Sequence, residues 1–175
     1  PANGTAIVQE WLRSGARGKA FVCLHDPVAV EAVVTAGAGG VFQGAVGDPA
    51  EPVRGAFRVR SLHDGMFHEA QARHGGFSDF DQGPTAVLEL DGTGLVAMAT
   101  THRMAPFSLA QLTSCGVDPA EFDLIVAKGV IAPMAAYAPV AKGGFLHVDT
   151  PGATRADMTR LEHRHRRRPM FPFEK

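Results

Sequence analysis

Three histidines, His63, His68 and His74, fall close together in the chain, with Asp64, Glu69 and Asp79 interleaved or just beyond. Imidazole nitrogens and carboxylates are the donors zinc takes where thiolates are scarce, so this collection is a candidate metal site. No HExxH, no HxH strand beside a carboxylate and no CxxC fixes a geometry there. Surface and loop histidines are the favoured reading, and zinc at these three is a remote option. A second pair, His163 and His165, has the i, i+2 spacing of strand ligands. It sits inside an arginine run, whose positive charge disfavours a bound cation.

That run is the second feature able to do chemistry. Arg160, Arg164, Arg166, Arg167 and Arg168 face only Glu162, a local charge of +4, while the whole chain carries −1. Basic charge is therefore concentrated and the remainder is acidic. A nucleic-acid arm would normally continue into flexible, low-complexity sequence. Here "RPMFPFE" follows, apolar and stiffened by Pro169 and Pro172, and such a stretch packs against a surface. Arg164, Arg166, Arg167 and Arg168 with Phe171 and Phe173 are read as a docking strap, its arginines paired to the acidic remainder or to a partner.

Other signals are weak. In "AGAGGVFQGAVGD" a helix precedes the glycines and a strand follows, the reverse of a dinucleotide fingerprint, so the glycines serve a tight turn. No Walker A loop, GxSxG elbow or Ser/His/Asp arrangement is present. Cys23 and Cys115 lie far apart in apolar or turn contexts, which suggests reduced thiols in a cytoplasmic protein.

The elements that must position these groups follow from composition and period. With 175 residues, 45% apolar and 20% charged, the chain is expected to form one domain over residues 1–175 with a substantial core. No apolar run is long enough to span a membrane, and the opening "PANGTAIVQEW" is unlike a signal peptide. Helices are expected in "GTAIVQEWLRSG", with Asn3 as cap, and in "DPVAVEAVVTAG", capped by Asp26. A short helix is expected in "FSLAQLTSCG" and a last one in "TRADMTRLEHR", capped by Thr154. Strands are expected in "KAFVCL", "GGVFQGAVG", "DLIVAKG" and "GFLHVDT". Hairpins should turn at His63-Asp64-Gly65 and at Asp91-Gly92. The stretch "ARHGGFSDFDQGP" reads as a loop, and prolines keep "VIAPMAAYAPVAKG" irregular. The fold class is α/β, a mixed β-sheet with hairpins covered by several short helices.

Several of these stretches resemble the C-terminal end of the microcystinase C (MlrC)-like metallopeptidase family. The resembling features are a Val-rich strand ending in Lys128, the Ala138-Pro139 step, Val148 through Gly152, and Arg168-Pro169 with Phe171-Pro172. "LHDPVAVEAVVTAGAGGVFQGAVG" is similar to the family's Asp-Pro-led helix and Gly-rich turn. Arg103 stands where the family usually has Arg, and "PANGT" looks like the tail of the motif that introduces the domain. The resemblance covers nearly the entire chain.

It implies a zinc hydrolase of peptide or amide bonds whose Asp and His metal ligands lie in an N-terminal domain not included in this sequence. This chain would then be an accessory domain with no cofactor of its own, inactive alone, docked on that metal-binding domain and walling one side of its cleft. Arg103 and Lys128, at strand ends, would orient a substrate carboxylate or carbonyl, and Tyr137 would donate one hydrogen bond. Asp149 and Thr150 would organise the turn before Pro151. Relatives often carry His and Arg where this sequence has Ala132 and Met134, which points to a changed substrate or to lost activity. A homo-oligomer stays open. The alternative reading is a stand-alone binding module that offers its arginines to an anionic partner. Nucleic acid is not the expected one.

Overall fold

The computed structural model describes residues 4–129, 131–150 and 157–174, with the side chains of residues 72–74 excepted. Among the described residues eight strands, β1 (Ala20–His25), β2 (Val41–Val46), β3 (Val53–His63), β4 (Met66–Arg73), β5 (Phe77–Asp81), β6 (Thr85–Leu90), β7 (Leu95–Thr100) and β8 (Leu124–Val126), form a six-stranded sheet, ordered β2-β3-β6-β7-β1-β8, and a separate ribbon of β4 with β5. β1 runs parallel to β7 on one side and to β8 on the other. The remaining pairs, β2 with β3, β3 with β6 and β6 with β7, are antiparallel. The mixed sheet with helical cover is the expected architecture.

Period-two alternation divides the strands between two cores. Val22, Leu24, Leu88, Leu90 and Ala97 pack beneath α1 (Gly4–Arg13) and α2 (Pro27–Ala36). On the opposite face Phe21, Val87, Val96 and Met98 pack with Leu112 of α3 (Ala110–Thr113) and Tyr137 of α4 (Ala132–Tyr137). Helices on both faces explain why β1 reads as an unbroken apolar run. Burying a Phe or Leu side chain contributes about 1.5–3 kcal/mol, so the two cores carry most of the fold's stability.

The glycine-rich turn behaves as its sequence implies. Gly37 and Gly39 take positive φ, and a Cβ on Gly40 would lie 2.3 Å from the Ala36 carbonyl oxygen. Only glycine lets the chain leave α2 and enter β2 so tightly. The β6–β7 hairpin also forms as expected, with Gly92 and Gly94 in the left-handed region between Leu90 and Leu95.

Five expectations are corrected. The turn at His63-Asp64-Gly65 joins no ladder, because β3 pairs with β6 and the chain passes into the ribbon. The expected loop over 72–84 contains β5 (Phe77–Asp81), which pairs with β4 (Met66–Arg73). A two-stranded ribbon needs outside packing to be stable. Phe67 and Phe80 supply it, stacked at 5.3 Å and both against Phe107. The stretch expected to be irregular holds α4, since Pro133 falls in the first turn, where its missing N–H costs nothing. "GFLHVDT" makes no strand among the described residues. In the last expected helix, residues 157–163 hold only one 3₁₀ turn, Met158–Arg160, capped by Asp157. Asn3 and Thr154, the expected caps, lie outside the described residues.

One carboxylate ties three elements together at the carboxyl end of β1. Asp26 Oδ1 accepts the Ala29 N–H of α2 (2.9 Å), and Oδ2 accepts the Gly47 N–H from the β2–β3 connection (2.8 Å). The next residue, Asp48, donates its N–H to Thr5 Oγ1 of α1 (2.9 Å). Asp26→Ala removes the cap and orphans a partly buried N–H, and should destabilise the chain by about 2 kcal/mol. Asp26→Asn keeps the Ala29 acceptor and should lose roughly half of that. Urea unfolding followed by far-ultraviolet circular dichroism reads both.

Candidate functional site

Because β1 has ladder partners on both sides and helices on both faces, its chemistry can only be presented at an end. From its carboxyl end the chain enters α2 on one face, whereas from β7 it leads to α3 on the other. The two connections diverge, and in α/β sheets the crevice outside such a switch point is where ligands bind. The register puts His63, Thr85, Thr100 and His25 on one row across this end of the sheet.

Two of the three cleft candidates reach that edge. Arg103 lies three residues beyond β7 and Lys128 two residues beyond β8, so they flank β1 from either side. Arg103 is exposed and Lys128 half-buried, and neither forms an ion pair among the described residues. Tyr137 is placed elsewhere. It is 4% exposed in the core beneath α3 and α4, where burial, then the nearby Cys23 thiol, pushes its hydroxyl well above the ordinary tyrosine value. Ala132 and Met134 both belong to α4, which follows Lys128 directly.

A buried polar cluster, not foreseen from the sequence, supports the same half of the sheet. Gln82 and Gln111 are fully buried; Gln111 Nε2 donates to Gln82 Oε1 (3.1 Å), and Gln82 Nε2 to Cys115 Sγ (3.4 Å). Two glutamines in unrelated polar stretches give no spacing signal, so only the fold reveals the pair. Both cysteines are free thiols. Burial pushes the Cys23 thiol up to about 12 and raises Cys115 as well. A second charged cluster lies at the other end of the strands. There Arg58 and Arg60 meet Glu89 while Lys19 and Arg60 meet Glu121, all within 4.0 Å. Three cations share two carboxylates there, so every charge of the cluster has a partner within it and one positive charge is in excess.

The candidate zinc ligands disperse. His63 ends β3 with Nε2 enclosed and unpartnered among the described residues. His68 sits on the ribbon, its Nδ1 2.8 Å from Asp79 Oδ1. That bond first, then one from the Ser78 hydroxyl, holds the Asp79 carboxyl below its usual value. The His74 side chain lies outside the described residues. Among the described residues no group of three or more His, Cys, Asp or Glu is placed to hold a metal ion. This chain's described donors therefore do not fit a zinc ion, and no step is routed through one.

The arginine segment is folded upon itself. Arg166 grips Glu174 with both guanidinium nitrogens, one at 2.6 Å, and lies 4.4 Å over the Phe173 ring. Arg164 pairs with Glu162 and Arg160 with Asp157. The carboxylates that meet the run are the nearest in the chain: Glu162 within it, and Asp157 and Glu174 just outside it. Arg167 and Arg168 make no ion pair among the described residues, and Phe171 is 87% exposed.

Two measurements test this local chemistry. The Arg166 hydrogen bonds, then the Met170 N–H, hold the Glu174 carboxyl down to about 2 from an ordinary 4.5. A carboxyl depressed on folding stabilises above its unfolded value, so the knot should persist above pH 4.5 and open as pH falls towards 2. Proton resonances of Phe173 and His163, whose rings meet edge-on at 4.9 Å, report the opening. Cys23 should react with iodoacetamide at pH 8 about three orders of magnitude more slowly than an unhindered thiol, and at the ordinary rate in urea.

Comparison with known proteins fits this architecture. No curated protein matches the chain. Among solved structures, a crystal structure described as a "putative metallopeptidase", from Mesorhizobium sp. BNC1, superposes with a TM-score of 0.85 at 25% sequence identity. The match covers 100% of this chain and 35% of that one, so the chain spans about a third of its relative's length. No helix among the described residues is long and apolar enough to cross a membrane. The sequence pattern described as MlrC C-terminus matches residues 1–165, and the chain belongs to that family.

Proposed function

We propose that this chain serves as the C-terminal domain of an MlrC-like metallohydrolase of peptide or amide bonds. In this reading residues 1–175 are one cytoplasmic domain that walls one side of a cleft and is inactive alone. Zinc and the general acid–base groups belong to an N-terminal metal-binding domain. The observation that carries the reading is the match of the whole chain to 35% of a chain described as a metallopeptidase, within a family matched over residues 1–165.

Arg103 and Lys128 would supply the cleft wall's charge. Each could hold a substrate carboxylate or carbonyl oxygen by a charge-assisted bond. Tyr137 serves from behind, seating α4 against the sheet so that the Lys128 loop keeps its course. Ala132 and Met134 leave the start of α4 without the polar groups relatives often carry, so the substrate recognised there is less anionic or more apolar. Exposed Arg167 and Arg168 with Phe171 favour a second reading, a binding module for an anionic partner. Its affinity would fall with salt by about 0.7–0.9 in log K per phosphate neutralised.

The test is reconstitution with a metal-binding N-terminal region of an MlrC-like protein from the same source. The chain alone should carry no stoichiometric zinc after mild dialysis, and the complex should bind zinc and hydrolyse amide substrates. Arg103→Ala and Lys128→Ala should each lower kcat/KM by about 10–100-fold, the loss of one charged hydrogen bond, with zinc content unchanged. A full zinc equivalent on the isolated chain, or unchanged kinetics in both variants, would sink the assignment.

A further inference from the structure

Exposed apolar side chains are unevenly spread along the chain. Among the described residues, seven of the twelve large hydrophobic side chains left open to solvent fall within 131–171, a minority of the chain. The densest stretch is the one whose sequence predicts a strand. From Gly143 to Asp149 every residue is exposed, including Phe145, Leu146 at 84% and Val148 at 55%. An apolar run that buries almost none of its side chains within its own fold gains nothing from the core.

This run does not project into empty space. Leu146 and Val148 line a groove of about 410 Å³ together with Ile7 and Trp11 of α1 and Leu124 of β8, and Glu10 and Asp149 also line it. β8 is three residues long and is the edge strand of the sheet, with β1 its sole ladder partner among the described residues. An apolar groove, a short edge strand and an exposed apolar run that joins no ladder among the described residues are together the anatomy of an interface core.

We propose that the groove between α1, β8 and residues 145–148 is the seat of the metal-binding N-terminal region of an MlrC-like protein, which inserts an apolar ridge there. The inference rests on the reading under Proposed function and adds the place of contact. The occupant follows from length: the matched chain, described as a "putative metallopeptidase", is nearly three times as long as this fold, which fills 35% of it. A body of that size needs a contact larger than the arginine knot offers. The groove shares no lining residue with the cluster of Arg58, Arg60 and Glu89; Ala6, Ile7, Trp11, Leu124, Leu146 and Val148 give it its apolar surface, with Glu10 and Asp149 also lining it.

Trp11 is the sole tryptophan of the chain and lines the groove, so it can report directly. The 175-residue chain labelled with 5-fluorotryptophan is mixed with the unlabelled N-terminal region, and binding is followed by calorimetry and by fluorine NMR. The expected result is saturable binding with a shift of the single fluorine resonance. Leu146→Asp should weaken binding at least tenfold, and Phe77→Ser, on the ribbon, should leave it unchanged. Leu146 is exposed, so the variant should melt as the parent does; if it does not, the fluorine shift of the parent chain decides. Binding without a fluorine shift, and equally tight with Leu146→Asp, overturns the groove while leaving the domain reading intact. Absence of any binding overturns both. A fluorine shift that depends on the concentration of this chain alone, with a dimer in sedimentation, assigns the groove to a second copy and overturns the proposal.

Discussion

The enclosure of β1 governs what this chain can do. Its backbone groups are taken by β7 and β8, and its side chains by two separate cores. A strand satisfied on all four sides offers nothing along its length, so residues that meet a ligand must stand at its ends. Asp26 then decides the shape of one end. By accepting from both Ala29 and Gly47 it holds the start of α2 and the β2–β3 connection at fixed distance from the strand. The carboxylate is committed to architecture, whereas Arg103 and Lys128, carried in from the neighbouring strands, make no ion pair among the described residues.

How much of this could be read in advance depended on where each residue's partners lie. The β6–β7 hairpin and α2 were legible because their signals are local: alternation with Asp91-Gly92 in one case, Asp26-Pro27 with Gly37 in the other. The ribbon was hidden because its glycines and acids imitate a loop. What makes it a ribbon is Phe107, more than twenty residues away in the chain, packing on Phe67 and Phe80. Arg103 and Lys128 could be nominated by resemblance and by position after strands, yet their placement on either side of β1 follows from a parallel order no local pattern encodes. The burial of Tyr137 had no signal in the sequence, since it follows from α4, which turns the ring into the core.

The charge pattern shows the same division between local and distant causes. Five arginines near the terminus suggest a long-range electrostatic device, but Glu162, Asp157 and Glu174 are close in sequence and reach them first. Exposed pairs of this kind contribute only about 0–1 kcal/mol each, so the knot is an ordered shape more than a source of stability. Arg166 differs from the others, being partly shielded and stacked on Phe173, and it gives the segment its fixed form.

The two cores and the exposed run at residues 143–149 are therefore connected by one argument. Stability in this chain comes from apolar side chains sealed above and below the sheet, and natural sequences rarely leave a further apolar stretch in water without use. The stretch that the sequence marks as a strand makes no ladder, although β8 beside it has β1 as its sole ladder partner among the described residues. Three strand residues on an edge bind a neighbouring segment weakly, because loop-closure entropy must be offset by few hydrogen bonds and little burial. A surface that covered Leu146, Val148 and Trp11 together would supply the missing burial and make ordering of the stretch favourable. The shortness of β8 and the exposed apolar surface after it thus have one physical cause, too few hydrogen bonds and too little burial on this chain's described residues to add the stretch to the sheet.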